Sequence, residues 1–69
     1  MKLSARNQLA ATVKSVTHGA VNSEVVLELP GGALLVSVIT KASAEALGLA
    51  PGRAAYAIVK ASNVMVAVD

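Results

Sequence analysis

The 69-residue sequence has no cysteine, no tryptophan and no phenylalanine. Tyr56 is its only aromatic residue and His18 its only histidine. Without cysteine there are no disulfides, and one histidine alone cannot build a Cys/His zinc cluster. Stacking platforms for single-stranded nucleic acid use several aromatic side chains, which one tyrosine cannot supply. Charge is also scarce. Six Lys and Arg stand against four Asp and Glu, a net charge of +2, far below the basic surplus of a nucleic-acid-binding surface. No apolar run approaches the ~20 residues that span a bilayer. The opening MKLSARNQ lacks the apolar stretch of a signal peptide. The expected compartment is the cytoplasm, with neither nucleic acid nor membrane as partner.

What the chain has in excess is aliphatic surface. Hydrophobic residues make up 55% of it, and its mean hydropathy is +0.66. A chain of this length forms one small domain, taken here as residues 1–69, and buries a modest fraction of its surface. Such domains need a further source of stability, and with disulfides and a zinc cluster excluded the usual one is oligomerisation. Part of the aliphatic surface is therefore expected at subunit interfaces.

The order of elements follows from periodicity and turn residues. Leu9 to Val16 suits a first strand, broken by Thr17-His18-Gly19-Ala20. In Val21 to Leu29, Val25, Leu27 and Leu29 alternate with Glu24, Val26 and Glu28, the period of a strand with one wet face. Pro30-Gly31-Gly32 is a hairpin turn, after which ALLVSVIT, Ala33 to Thr40, is apolar on both faces apart from Ser37. Such a strand is either central or covered by another subunit. Ser43 is a candidate cap for a short helix over Ala44 to Leu47, ended by Gly48. After the Pro51-Gly52 turn come a fourth strand, Arg53 to Lys60, a kink at Ala61-Ser62-Asn63, and a fifth strand, Val64 to Val68. The expected fold is all-β: a small five-stranded OB-like barrel with one short helix between strands 3 and 4.

Nothing in this pattern points to catalysis. His18 has no cysteine to activate, no serine sits in a nucleophile elbow, and Glu24 and Glu28 read as a solvated strand face. There is no GxGxxG and no Walker motif, and an enzyme is not expected. Groups able to bind an anion are more prominent. Arg6 carries a rigid fork of donors suited to tetrahedral oxyanions, and Ser4 adds a hydroxyl two residues away. Backbone N–H groups near Ala5 and Arg6, and near Ala61 and Ser62, lie outside the expected ladder. Lys60 ends one strand and Thr40 another. Each has a competing reading: a solvated charge for Arg6 and Lys60, a terminus for Ser4, a helix cap for Thr40 and Ser43. On residues alone, both readings stand.

The segments SARNQL (Ser4 to Leu9), EVVLEL with its Gly-Gly turn, VSVIT (Val36 to Thr40), EALGL-x-PG (Glu45 to Gly52) and VKASNVM (Val59 to Met65) together resemble the molybdenum-pterin-binding proteins, or molbindins. These are single Mop domains, related to the TOBE modules of molybdate-responsive regulators and transport ATPases. The resemblance covers nearly the whole chain, in order. It implies a cytoplasmic protein that binds molybdate or tungstate for molybdenum storage and homeostasis, assembled as a homo-hexamer, a trimer of dimers. The oxyanion would be held by hydrogen bonds, with no direct metal ligand and no organic cofactor. Carried onto this sequence, the main site comprises Ser4, Ala5, Arg6, Lys60 and Ala61 of one subunit and Thr40 of its neighbour. A second site, where three subunits meet, falls on the loop His18, Gly19, Ala20, Val21 and Asn22. There a cluster of protonated imidazoles would favour a dianion and make binding pH-dependent; a solvent-exposed loop histidine is the competing reading. The alternative functions are a ligand-free OB-like oligomerisation domain and a nucleic-acid-binding module.

Overall fold

The computed structural model describes all 69 residues. Four strands form one antiparallel sheet: β1 (Asn7–His18), β2 (Asn22–Glu28), β3 (Leu34–Thr40) and β4 (Ala54–Val59), in the spatial order β3-β2-β1-β4. A short helix, α1 (Lys41–Ala46), lies between β3 and β4, and a single 3-10 turn, Ala61–Asn63, follows β4. The sheet curls into a half-barrel. Residues of both edge strands line a shared apolar groove with Val25 and Leu27 at its floor.

The alternation in β2 produces the expected faces. Val25 and Leu27 are buried and Glu24 and Glu28 are exposed. They pack with Ala11, Val13 and Ala57 in a small core. The β2–β3 turn is closed by Leu29 N–H donating to Ala33 O at 2.8 Å and Gly32 N–H to Leu29 O at 3.0 Å. Gly31 and Gly32 take φ of 94° and 97°, the left-handed region that glycine enters without steric cost.

β1 carries an irregularity that no local signal in the sequence marks. Its pairing with β2 slips between Val13 and Ser15, leaving Lys14 as an extra residue. Side chains alternate with period 2, so one inserted residue exchanges the faces beyond it. Ala11 and Val13 lie on the core side of the sheet before the bulge; after it Val16 and His18 take that side, opposite Val25 and Ser23. The strand also runs to His18, beyond the break expected at Thr17.

Two further expectations are corrected. Thr40, not Ser43, caps the helix. It has the extended backbone of an N-cap residue (φ −66°, ψ 148°), and Ser43 N–H donates to its Oγ1 at 3.0 Å. Ser43 stands three positions on, where the capped N–H belongs. The fifth strand is absent from the four-stranded sheet. Val64 has extended backbone, but Val64 to Val68 pair with no strand of the chain. A strand needs a ladder partner as well as a pattern, and this segment has no ladder within its own chain. Met65, Val66 and Val68 are 94%, 88% and 92% exposed.

β3 is an edge strand, so its two apolar faces do not reflect a central position. Leu35, Ser37 and Ile39 are half-buried against the core, while Leu34, Val36 and Val38 stand exposed in a row. Only 7 of 69 residues are buried in the chain, which is the expected shortage of core. No helix is long and apolar enough to cross a membrane.

Candidate oxyanion site

Five of the six residues expected at the main site come together. Ser4, Ala5, Arg6, Lys60 and Ala61 line one open concavity of about 410 Å³. The β1–β4 register brings them there: Asn7 pairs with Val59, so the residues before β1 and after β4 leave the sheet side by side. No carboxylate lines this concavity. Its side chains supply a guanidinium, an ammonium and a hydroxyl.

Local contacts fix the backbone on both sides. Gln8 Nε2 donates to Ala5 O at 2.9 Å, tying the polar segment into a turn against the start of β1. On the other side, Lys60 is the N-cap of the 3-10 turn with no side-chain cap. Asn63 N–H donates back to Lys60 O at 2.9 Å. The N–H groups of Ala61 and Ser62 open that turn and have no acceptor within it. The donor set suits a tetrahedral anion: two cations for its charge, with hydroxyl and N–H groups for its lone pairs.

Thr40 is not part of the concavity. It pairs with Asn22, and Ser23 pairs with His18, so it lies at the far end of β1 from Asn7. Eleven residue steps at ~3.3 Å put it on the order of 30 Å away. Within one chain Thr40 and Arg6 cannot share a ligand. Thr40 Oγ1 also bonds Ser43 Oγ at 2.8 Å. One of the two hydroxyl protons is used in that bond, so the pair retains a single O–H donor for a ligand.

The loop of the second expected site is tightly held. Gly19 N–H donates to Asn22 O at 2.7 Å, and Lys41 N–H donates to Val21 O at 2.7 Å, tying the loop to the helix. A Cβ on Gly19 would lie 2.9 Å from Asn22 O, so the turn needs glycine there. His18, Gly19, Ala20, Val21 and Asn22 are all exposed. Behind them His18 Nδ1 lies 2.6 Å from Ser23 Oγ, and Ser23 is 1% exposed.

Three residues that were not expected at either site take part in positioning. Gln8 holds Ala5, Ser43 shares its hydroxyl with Thr40, and Ser23 holds His18. The i, i+3 spacing of Gln8 from Ala5 and of Ser43 from Thr40 was the available signal for the first two. Ser23 depends on the bulge and had none.

Residues 3–66 match the TOBE domain family. A probable molybdenum-pterin-binding protein of Haemophilus influenzae is 46% identical over 69 residues, covering all of this chain and all of that protein. Longer relatives also match, and the chain spans 25% of their length. Among solved structures, MopII from Clostridium pasteurianum superposes with a TM-score of 0.91 at 42% identity, covering 97% of this chain and all of that one. The cytoplasmic molybdate-binding protein ModG, solved with molybdate bound, has a TM-score of 0.90 at 52% identity. That match covers 94% of this chain and 46% of ModG. With its domain match, its full-length relative and its shared fold, the chain belongs to the TOBE domain family and, within it, to the molybdenum-pterin-binding proteins.

Proposed function

We propose that this protein binds molybdate and tungstate in the cytoplasm, as a molybdenum store without catalytic activity, at sites between the subunits of a homo-hexamer built as a trimer of dimers. The observation that carries the reading is the concavity of Ser4, Ala5, Arg6, Lys60 and Ala61, which holds two cations and no carboxylate. Thr40 of a neighbouring subunit completes it, because Thr40 of the same chain lies at the other end of the sheet. The loop His18–Asn22 forms the second site where three subunits meet. Residues 1–69 act as one Mop domain. Support for molybdate comes from relatives that carry molybdenum or molybdate binding in their names, and for the compartment from ModG.

The barrel is completed on assembly. Val64 to Val68 becomes its fifth strand by pairing with a second copy, since both β3 and β4 have one edge unpaired in the chain. The exposed row Leu34, Val36 and Val38 is covered in the same assembly.

Molybdate suits such a site. It is a dianion with four equivalent oxygens, bound reversibly by hydrogen bonds alone, and charge-assisted bonds are about twice as strong as neutral ones. Selection against sulfate rests on size, which requires rigid donors such as backbone N–H groups. Phosphate carries a proton near neutral pH, and that O–H costs ~1–3 kcal/mol if the Ser4 hydroxyl is used as a donor and no other acceptor meets it.

Thermal unfolding with molybdate, tungstate, sulfate or phosphate at equal millimolar concentration tests the proposal. A ligand of the folded state at about 100 times its Kd stabilises by about 2.7 kcal/mol per site. The midpoint rises with molybdate and tungstate and stays near its ligand-free value with the other two. No rise, or an equal rise with all four, leaves an oligomeric half-barrel with a generic basic surface.

A further inference from the structure

We infer that Ser23 is a positioning residue for the loop site: it holds the His18 imidazole with its proton on Nε2, so that a neutral His18 donates a hydrogen bond to the oxyanion. The inference rests on the loop being an oxyanion site, as proposed above. It changes how that site works, because an imidazolium is then not required for binding.

Ser23 is the only buried polar residue in the chain. Its hydroxyl has one hydrogen-bond partner, His18 Nδ1 at 2.6 Å. At 1% exposure water does not take the hydroxyl proton, and a buried O–H left unpaired is costly. The proton therefore goes to Nδ1, which accepts only when it is unprotonated. A neutral imidazole that accepts at Nδ1 carries its hydrogen on Nε2. Nδ1 is turned toward Ser23, so Nε2 lies on the opposite edge of an exposed ring.

The arrangement depends on the β1 bulge. Without the extra residue at Lys14, Thr17 and not His18 would share the face of Ser23. Charged groups on the adjoining segments do not replace Ser23 in this role. Glu24 lies opposite Thr17 on the exposed face of β2. Lys41 is tied to the loop through its backbone, and Glu45 is exposed on the helix.

His18 is the only histidine, so its ring resonances are unambiguous. The experiment is nitrogen-15 NMR of the assembled protein at about pH 8, above the ordinary imidazole range. It compares the parent with Ser23→Ala and then repeats both in an Arg6→Ala background titrated with molybdate. The parent shows the Nε2–H tautomer, and molybdate shifts the ring signals. Ser23→Ala shows mixed tautomers and a loop-site affinity about fivefold weaker, the equivalent of one neutral hydrogen bond. An Nδ1–H tautomer in the parent overturns the inference without any variant. Unchanged tautomer and affinity in Ser23→Ala overturn it as well. An Nε2–H tautomer whose signals ignore molybdate overturns the loop-site reading itself, and with it the donor role of His18.

Discussion

Replacing Arg6 with alanine is expected to weaken molybdate binding at the proposed main site by about 10- to 150-fold, the range that follows when a hydrogen bond to a charged group worth ~1.5–3 kcal/mol is lost. Arg6 and Lys60 are the two cations of the concavity. With one removed, the dianion is half neutralised, and the hydroxyl and N–H donors compensate poorly for its desolvation. Arg6→Lys falls between the two, because an ammonium keeps the charge but not the planar fork. The side chain is exposed and lies outside the core, so the ligand-free melting point and the assembly stay as in the parent. Calorimetric titration reads the affinity, and sedimentation reads the assembly. A variant that titrates like the parent would show that the site has been assigned to the wrong residues.

The second large effect concerns the C-terminal segment. On the proposed assembly, Val66→Lys combined with Val68→Lys is expected to dissociate the subunits at micromolar concentration. Both valines are almost fully exposed in the chain, as is Met65 between two of the alternating valines. Burying three such side chains contributes roughly 5–9 kcal/mol, at ~1.5–3 kcal/mol each. An exposed apolar segment with the pattern of a strand is also an aggregation hazard unless something covers it. Two lysines remove the apolar contact and place like charges at the contact. Sedimentation velocity is then expected to show a smaller species, with molybdate affinity falling alongside it, because the proposed site loses the neighbour's Thr40. A variant that sediments like the parent places this segment outside the interfaces.

Much of the fold was legible because local patterns agree with it. The VNSEVVLEL alternation, the Pro30-Gly31-Gly32 turn and Gly48 as the residue that ends the helix each have a local cause that the structure repeats. The bulge at Lys14 did not show, because lysine is unremarkable there and the slip is set by pairing with β2. The cap went to Thr40 because Thr and Ser both favour that position and the end of β3 decides between them. The Val64–Val68 pattern is that of a strand, but a pattern cannot say which chain supplies the ladder. The site was legible in the same uneven way. The residue types at Ser4, Arg6 and Lys60 suggest an anion, while their meeting depends on the Asn7–Val59 register. The separation of Thr40 from them depends on the whole sheet.

The most direct measurement is a crystal structure of the protein grown with molybdate, with the metal located by its anomalous scattering. The expected result is a peak between subunits, within hydrogen-bond reach of Arg6, Lys60 and the backbone of Ala5 and Ala61 of one chain and of Thr40 of another. A peak held by a single chain, or one remote from Arg6 and Lys60, would contradict it.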